Sequence, residues 1–268
     1  MILRIGYEMI FEAPVPTPML LMLNVFPTYV EKLEKPELLK MEPAVPLETY
    51  TDGFGNICGR IVVPAGNFKL SYDNTIEVSG LPEPVALDAR QHRVEELPPE
   101  TLVFLLSSRY CEVDRLSQLA WSLFDQTPPG WGRVQAICDW VHSHIEFGYR
   151  YARATKSAYD AYLEKNGVCR DYMHLAIALC RAMHIPARYA SGYLGDIGVP
   201  LSPDPMDFSA FFEVYLGGEW RVFDARNNVR RIGRVPMVYG RDAADVALTT
   251  SFGQLNLEKF EVWTDEVG

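Results

Sequence analysis

The segment Gly167-Val168-Cys169-Arg170-Asp171 opens an apolar-striped stretch that runs to Met183. A glycine turn followed by a cysteine at the mouth of a helix is a recipe for a nucleophile. The first amides of a helix have no intrahelical acceptor, and the macrodipole is positive there. Both favour the thiolate, the reactive form of cysteine. Thiol acyl transfer also needs a base, a group that orients the base, and donors for the oxyanion. The Cys169 amide is one candidate donor. A carboxylate that could orient a base stands at Asp224, closing the apolar run Trp220-Arg221-Val222-Phe223. Strand alternation puts Trp220, Val222 and Asp224 on one face, and Ser209, Phe211, Glu213 and Tyr215 on one face of the preceding strand. If Ser209 faces the site, it is positioned to pair with Asp224 across the hairpin.

No histidine follows His184 in the chain. His174 lies five residues beyond Cys169 on the same helix, about 500° of rotation away, so the two side chains do not face each other. His184 sits at the far end of that helix, about four turns off. His142 and His144 belong to the preceding helical stretch and read as surface or core, and His92 lies in a proline-rich linker.

The elements that would hold these residues change period along the chain. The first hundred residues are β-rich: Ile2 to Phe11 alternates, Met19 to Phe26 is a short apolar run, and Ile57 to Pro64 follows a Gly53-Phe54-Gly55-Asn56 turn. Lys69 to Val78 continues the pattern, and the whole predicts a small sandwich or barrel. Leu81 to Glu100 reads as a linker. Helical spacing begins at Val113 to Phe124, repeats over Trp131 to Ile145, and recurs from Cys169, with Tyr172, Leu175, Ala176, Leu179, Cys180 and Met183 on one stripe. Pro186 ends that helix. Strands follow over Ala187 to Leu194, Ser209 to Leu216 and Glu219 to Asp224, with Gly217-Gly218 as a tight hairpin turn. The tail is expected to hold a short helical patch from Ala243 and a closing strand over Leu257 to Thr264. Helices followed by antiparallel strands imply α+β packing, and the expected division is residues 1–100 and 101–268.

Composition narrows the function. The chain has 268 residues, 48% of them hydrophobic, and a formal net charge of −10. It can bury a sizeable core, and its charge disfavours a nucleic-acid partner. The five cysteines are odd in number, widely spaced and lack a CxxC pair, which argues against a disulfide framework and for a reducing compartment. Neither a secretory pattern nor a membrane-length apolar run is present, so a cytoplasmic protein is expected. Asp196, Asp204 and Asp207 lie in a proline-rich loop without EF-hand spacing, so the loop is expected to border a cleft, with no metal and no cofactor. Arg226 and Arg230-Arg231 follow the acid as a basic rim or a grip for a substrate carboxylate. Tyr149, Tyr151, Tyr159 and Tyr162 are read as packing, with an oxyanion contact as the functional alternative.

In order and spacing, Gly167 to Asp171, Ile185 to Tyr189, Asp207-Phe208-Ser209-Ala210-Phe211-Phe212-Glu213 and Trp220 to Asp224 resemble the transglutaminase-like superfamily, over residues 105 to 230 or so. The β-rich start and the segment Gly240 to Ala247 resemble the bacterial members. The resemblance implies a papain-like cysteine fold preceded by an N-terminal all-β domain. It implies Cys169 as nucleophile and Asp224 as orienting acid. It implies attack on an amide of a peptide or protein substrate through a thioester, with hydrolysis expected over cross-linking. Ser209 occupies the family's histidine position, and a serine hydroxyl does not shuttle protons near neutral pH. The alternative is a relative in which the cleft serves as a peptide-binding or assembly module.

Overall fold

The computed structural model describes residues 1–202 and 205–268. Asp204, a member of the acidic loop, lies outside the described residues. The β-rich start contains β1 (Ile2–Ala13), β2 (Thr17–Leu21), β3 (Lys40–Glu42), β4 (Glu48–Thr51), β5 (Ile57–Val63) and β6 (Gly66–Glu77). Alternation does the expected work. Leu3, Ile5, Tyr7, Met9 and Phe11 of β1 are buried, as are Phe68, Leu70, Tyr72 and Ile76 of β6.

The second half begins with α1 (Val113–Phe124) and α2 (Trp131–His144), followed by the short β7 (Glu146–Phe147), α3 (Ala158–Glu164), β8 (Asn166–Gly167) and α4 (Cys169–Ala182). It continues with β9 (Ala187–Tyr193), β10 (Ser209–Leu216), β11 (Glu219–Phe223) and β12 (Val235–Gly240), and ends with β13 (Thr249–Ser251) and β14 (Asn256–Val267). The fold is α+β, with the cysteine helix packed on an antiparallel sheet of order β11-β10-β9-β12. The hairpin turn between β10 and β11 uses left-handed backbone at Gly217 (φ 62°) and Gly218 (φ 89°), as a two-residue turn between twisted strands requires.

Three features differ from the reading of the sequence. First, α4 is not amphipathic in its setting: every residue from Asp171 to Ala182 is buried. Helices α1, α2 and α3 enclose it on one side and β9 and β10 on the other. Second, the tail returns to the start of the chain. β14 pairs with β1 from Ile2↔Val267 to Glu12↔Asn256, and β13 pairs with β2. The two N-terminal sheets, ordered β14-β1-β6-β3 and β13-β2-β5-β4, therefore join strands from both sides of the expected division at residue 100. The helical patch expected near Ala243 is instead a turn, with the Asp242 carboxylate accepting from the Ala244 amide at 2.9 Å and that of Asp245 from the Arg241 amide at 2.9 Å. Third, the segment read as a linker is strapped down. Ala89 and Leu97 are buried, and the Glu83 carboxylate pairs with Arg234 at 2.5 Å.

Candidate functional site at Cys169

Cys169 is the first residue of α4 and is half-buried, while the other four cysteines are buried and none is in a disulfide. The turn before it is built by Gly167 and Asp171. The Asp171 carboxylate accepts the Val168 amide at 3.0 Å, and a Cβ on residue 167 would come within 2.7 Å of the Asp171 side chain. Glycine is thus required at 167 for Asp171 to close the helix entrance. The backbone amides of Ala210 and Arg170 and the Arg226 guanidinium favour the thiolate, yet burial outweighs them and pushes the thiol above its ordinary value.

The thiol opens on a cavity of about 760 Å³. Its wall includes Ser209, Asp207, Arg226 and Asn227, with Leu194, Ile197, Val199, Met206 and Phe208 supplying apolar surface. Tyr149, Asp196 and Arg231 also line it, so the loop after β9 borders the cleft. The Asp196 carboxylate is engaged, by Arg231 at 3.1 Å and by the Ser202 amide at 2.7 Å. Among the described residues, no histidine lines this cavity. The Ser209 hydroxyl is buried in the wall without a hydrogen-bond partner among the described residues.

Asp224 is placed differently. In the β10–β11 register Phe212 faces Phe223 and Glu213 faces Val222. Ser209 and Asp224 therefore share the sheet face of Phe211, whereas Ala210, Phe212 and Val214 pack into the core with α4. The Asp224 carboxylate makes no contact with Ser209. Its Oδ1 accepts the amides of Arg226 at 3.1 Å and Asn227 at 2.9 Å, and its Oδ2 accepts the Asn227 carboxamide at 2.8 Å and the Arg234 guanidinium at 3.0 Å. An aspartate followed by a polar turn commonly accepts the next amides in this way. The Asn227 and Arg234 partners were not anticipated from the sequence. Asn227 is adjacent in that turn, so a local signal existed for it, but nothing local marks Arg234.

A 31% identical match covers 99% of this chain and 90% of a crystal structure from Cytophaga hutchinsonii described as a candidate cysteine protease, with a TM-score of 0.86. Residues 118–225 match the family model described as the transglutaminase-like superfamily. The chain belongs to the transglutaminase-like superfamily. An uncharacterized protein of Mycobacterium leprae (strain TN) is 32% identical over 118 residues, and the match spans 42% of each of the two chains.

In this transglutaminase-like protein the cysteine opens α4, and the histidines are engaged elsewhere. His174 is fully buried, stacked on Tyr110 with ring centroids 5.1 Å apart, and its Nε2 accepts the Ala243 amide at 3.1 Å. His142 meets the Ala225 carbonyl at 3.2 Å and His144 the Tyr162 carbonyl at 2.8 Å. His92 packs beside Tyr215 and His184 beside Trp121. Of the upstream tyrosines, Tyr149 reaches the cavity wall, while Tyr159 and Tyr162 pack against each other. No helix is long and apolar enough to cross a membrane among the described residues.

Proposed function

We propose that the cleft at Cys169 binds an extended peptide segment and does not run the histidine-assisted thioester chemistry expected of the family. One observation carries this reading: Asp224, at the position of the orienting acid, holds the Asn227 carboxamide and the Arg234 guanidinium. A carboxamide at the cavity wall does not accept and return a proton as imidazole does. The raised thiol of Cys169 agrees with this, because a neutral thiol is a weak nucleophile. Peptide as the occupant is supported by the mixed apolar and polar wall of the cavity, and by the protease description of the Cytophaga relative. Five free cysteines suit a reducing, cytoplasmic setting.

The peptidase reading, hydrolysis through a Cys169 thioester with Asp224 and Ser209 in supporting roles, draws on a different observation. Two backbone amides and a nearby cation favour the thiolate, a setting in which residual acyl transfer can persist without a full triad. Incubation with a tryptic digest of casein separates the two. Binding alone slows iodoacetamide labelling of Cys169 at alkaline pH and returns every peptide intact. Cleavage of those peptides, lost in Cys169→Ala, would establish the peptidase and overturn the binding-module reading.

A further inference from the structure

Among the described residues, the wall of the Cys169 cavity holds donors without a hydrogen-bond partner. The Ser209 hydroxyl has no partner, although the residue is only 8% exposed. The Thr264 hydroxyl and the Arg231 Nε in the same wall are likewise unpartnered, in residues 2% and 6% exposed. Arg226 lies with its guanidinium 3.9 Å over the Phe147 ring, and makes no ion pair or side-chain hydrogen bond with any described residue. Stacking on a ring face leaves the N–H edges of an arginine available for a ligand. The amino end of α4 adds its positive dipole at Cys169.

Buried polar atoms are almost always satisfied, and a native exception calls for an explanation such as a ligand. Here the unsatisfied atoms are all able to donate, and a guanidinium stands beside them. Their natural complement is an anionic oxygen, and within a peptide that is a carboxylate. We infer that the cavity is a carboxylate site, in which Arg226 and Ser209 receive an acidic group of the bound peptide beside Cys169. This deepens the peptide-binding reading and rests on it. The opposing charges among the described residues are accounted for. Asp196 is committed to Arg231, and Asp265 and Glu266 are exposed. Among the described residues, Asp207, exposed on the wall near the thiol, is the carboxylate that competes with the ligand. The carboxylate has two candidate sources, a chain terminus and an Asp or Glu side chain.

Cys169 itself reports on the site. Iodoacetate and iodoacetamide alkylate the same sulfur and differ by a carboxylate, and the ratio of their rates cancels the thiolate fraction. With the full chain, this ratio at Cys169 is expected to exceed that of glutathione by about tenfold, the factor carried by one charge-assisted hydrogen bond. It should fall to the glutathione level in Arg226→Gln, and rise in Asp207→Asn, where the competing charge is gone. A ratio at or below that of glutathione in the wild type, or one indifferent to both substitutions, overturns the carboxylate site while leaving peptide binding standing. A thiol inert to the neutral reagent means a closed cavity, and overturns both. The source is read by protection: acetyl-trialanine with a free terminus, acetyl-Ala-Glu-Ala amide, and acetyl-trialanine amide as control. Arg226-dependent protection by either acid names the source; equal protection by the uncharged control, or by none, refutes the inference.

Discussion

Arg234 donates from Nη2 to Oδ2 of Asp224 at 3.0 Å, with the two side chains 5% and 2% exposed. The same guanidinium bonds Glu83 through Nε at 2.5 Å and lies 4.6 Å from the Phe211 ring centroid. The carboxylate that would orient a catalytic base is thus half of a buried ion pair, and a strap from the other side of the sequence helps to hold it.

Burying ions is costly, and removing one partner strands the others. Arg234→Met is therefore expected to lower the unfolding free energy by about 3–5 kcal/mol. Adding Glu83→Gln and Asp224→Asn to it should recover part of that loss, since the stranded charges go with them. Urea denaturation of the single and triple variants checks this. Equal stability of Arg234→Met and the wild type would show that the pair is worth nothing.

Ser209→His supplies an imidazole where the sequence resemblance expects one, but Asp224 remains engaged by Arg234 and Asn227. No hydrolysis of casein is expected from this single variant. Activity in it would show that the carboxylate is readily released, and that the rest of the site is preorganised for catalysis.

The thiol of Cys169 is held above its ordinary value by burial. Its iodoacetamide labelling should therefore be slow at mildly acid pH, and should rise with an inflection above the free-thiol value of about 8.5. Fast labelling of Cys169 near pH 5.5, on the order of a hundredfold above glutathione, would mean a thiolate stabilised by its surroundings and would contradict the pKa direction.

His174 lies in the core with its pKa driven well below the ordinary 6.5, first by burial and then by the charges of Arg170 and Arg181. In the unfolded chain it takes a proton as pH falls through that ordinary value, while the folded protein does not. The unfolded state then binds more protons, so stability declines as pH drops below about 6.5. His174→Gln, which keeps an acceptor for the Ala243 amide, should start less stable and show a shallower decline. Denaturation midpoints at near-neutral and mildly acid pH test this, and an unchanged slope would refute it.

Gly192 pairs with Ser209 across β9 and β10. A Cβ there would fall 2.1 Å from the Val235 carbonyl oxygen and 2.9 Å from Pro236 Cα. Both obstacles are backbone, so Gly192→Ala must part β9 from β12. A loss of about 1–3 kcal/mol is expected, read as a lowered urea midpoint. Undiminished stability would mean the sheet edge accommodates a methyl group.

Much of this architecture is legible in the sequence because it is local. The turn at Gly167, the helix from Cys169, the glycine hairpin and the strand over Ser209 to Leu216 each follow from neighbours a few residues apart, where dihedral limits and periodic burial act directly. The pairing of the tail with the first strand is not local: Val267 meets Ile2, and nothing in either segment specifies the other. The full enclosure of α4 is likewise decided by what packs around it.

The residues of the site divide in the same way. The amino acids themselves determine that a cysteine opens a helix, that a serine begins the second strand and that an aspartate closes the third. Only the tertiary structure decides whom that aspartate serves. Its partners include an arginine 10 residues on, which is itself held by a glutamate 151 residues away. A buried charge takes whatever counter-charge the fold delivers to it, and that choice is made by packing rather than by spacing along the chain.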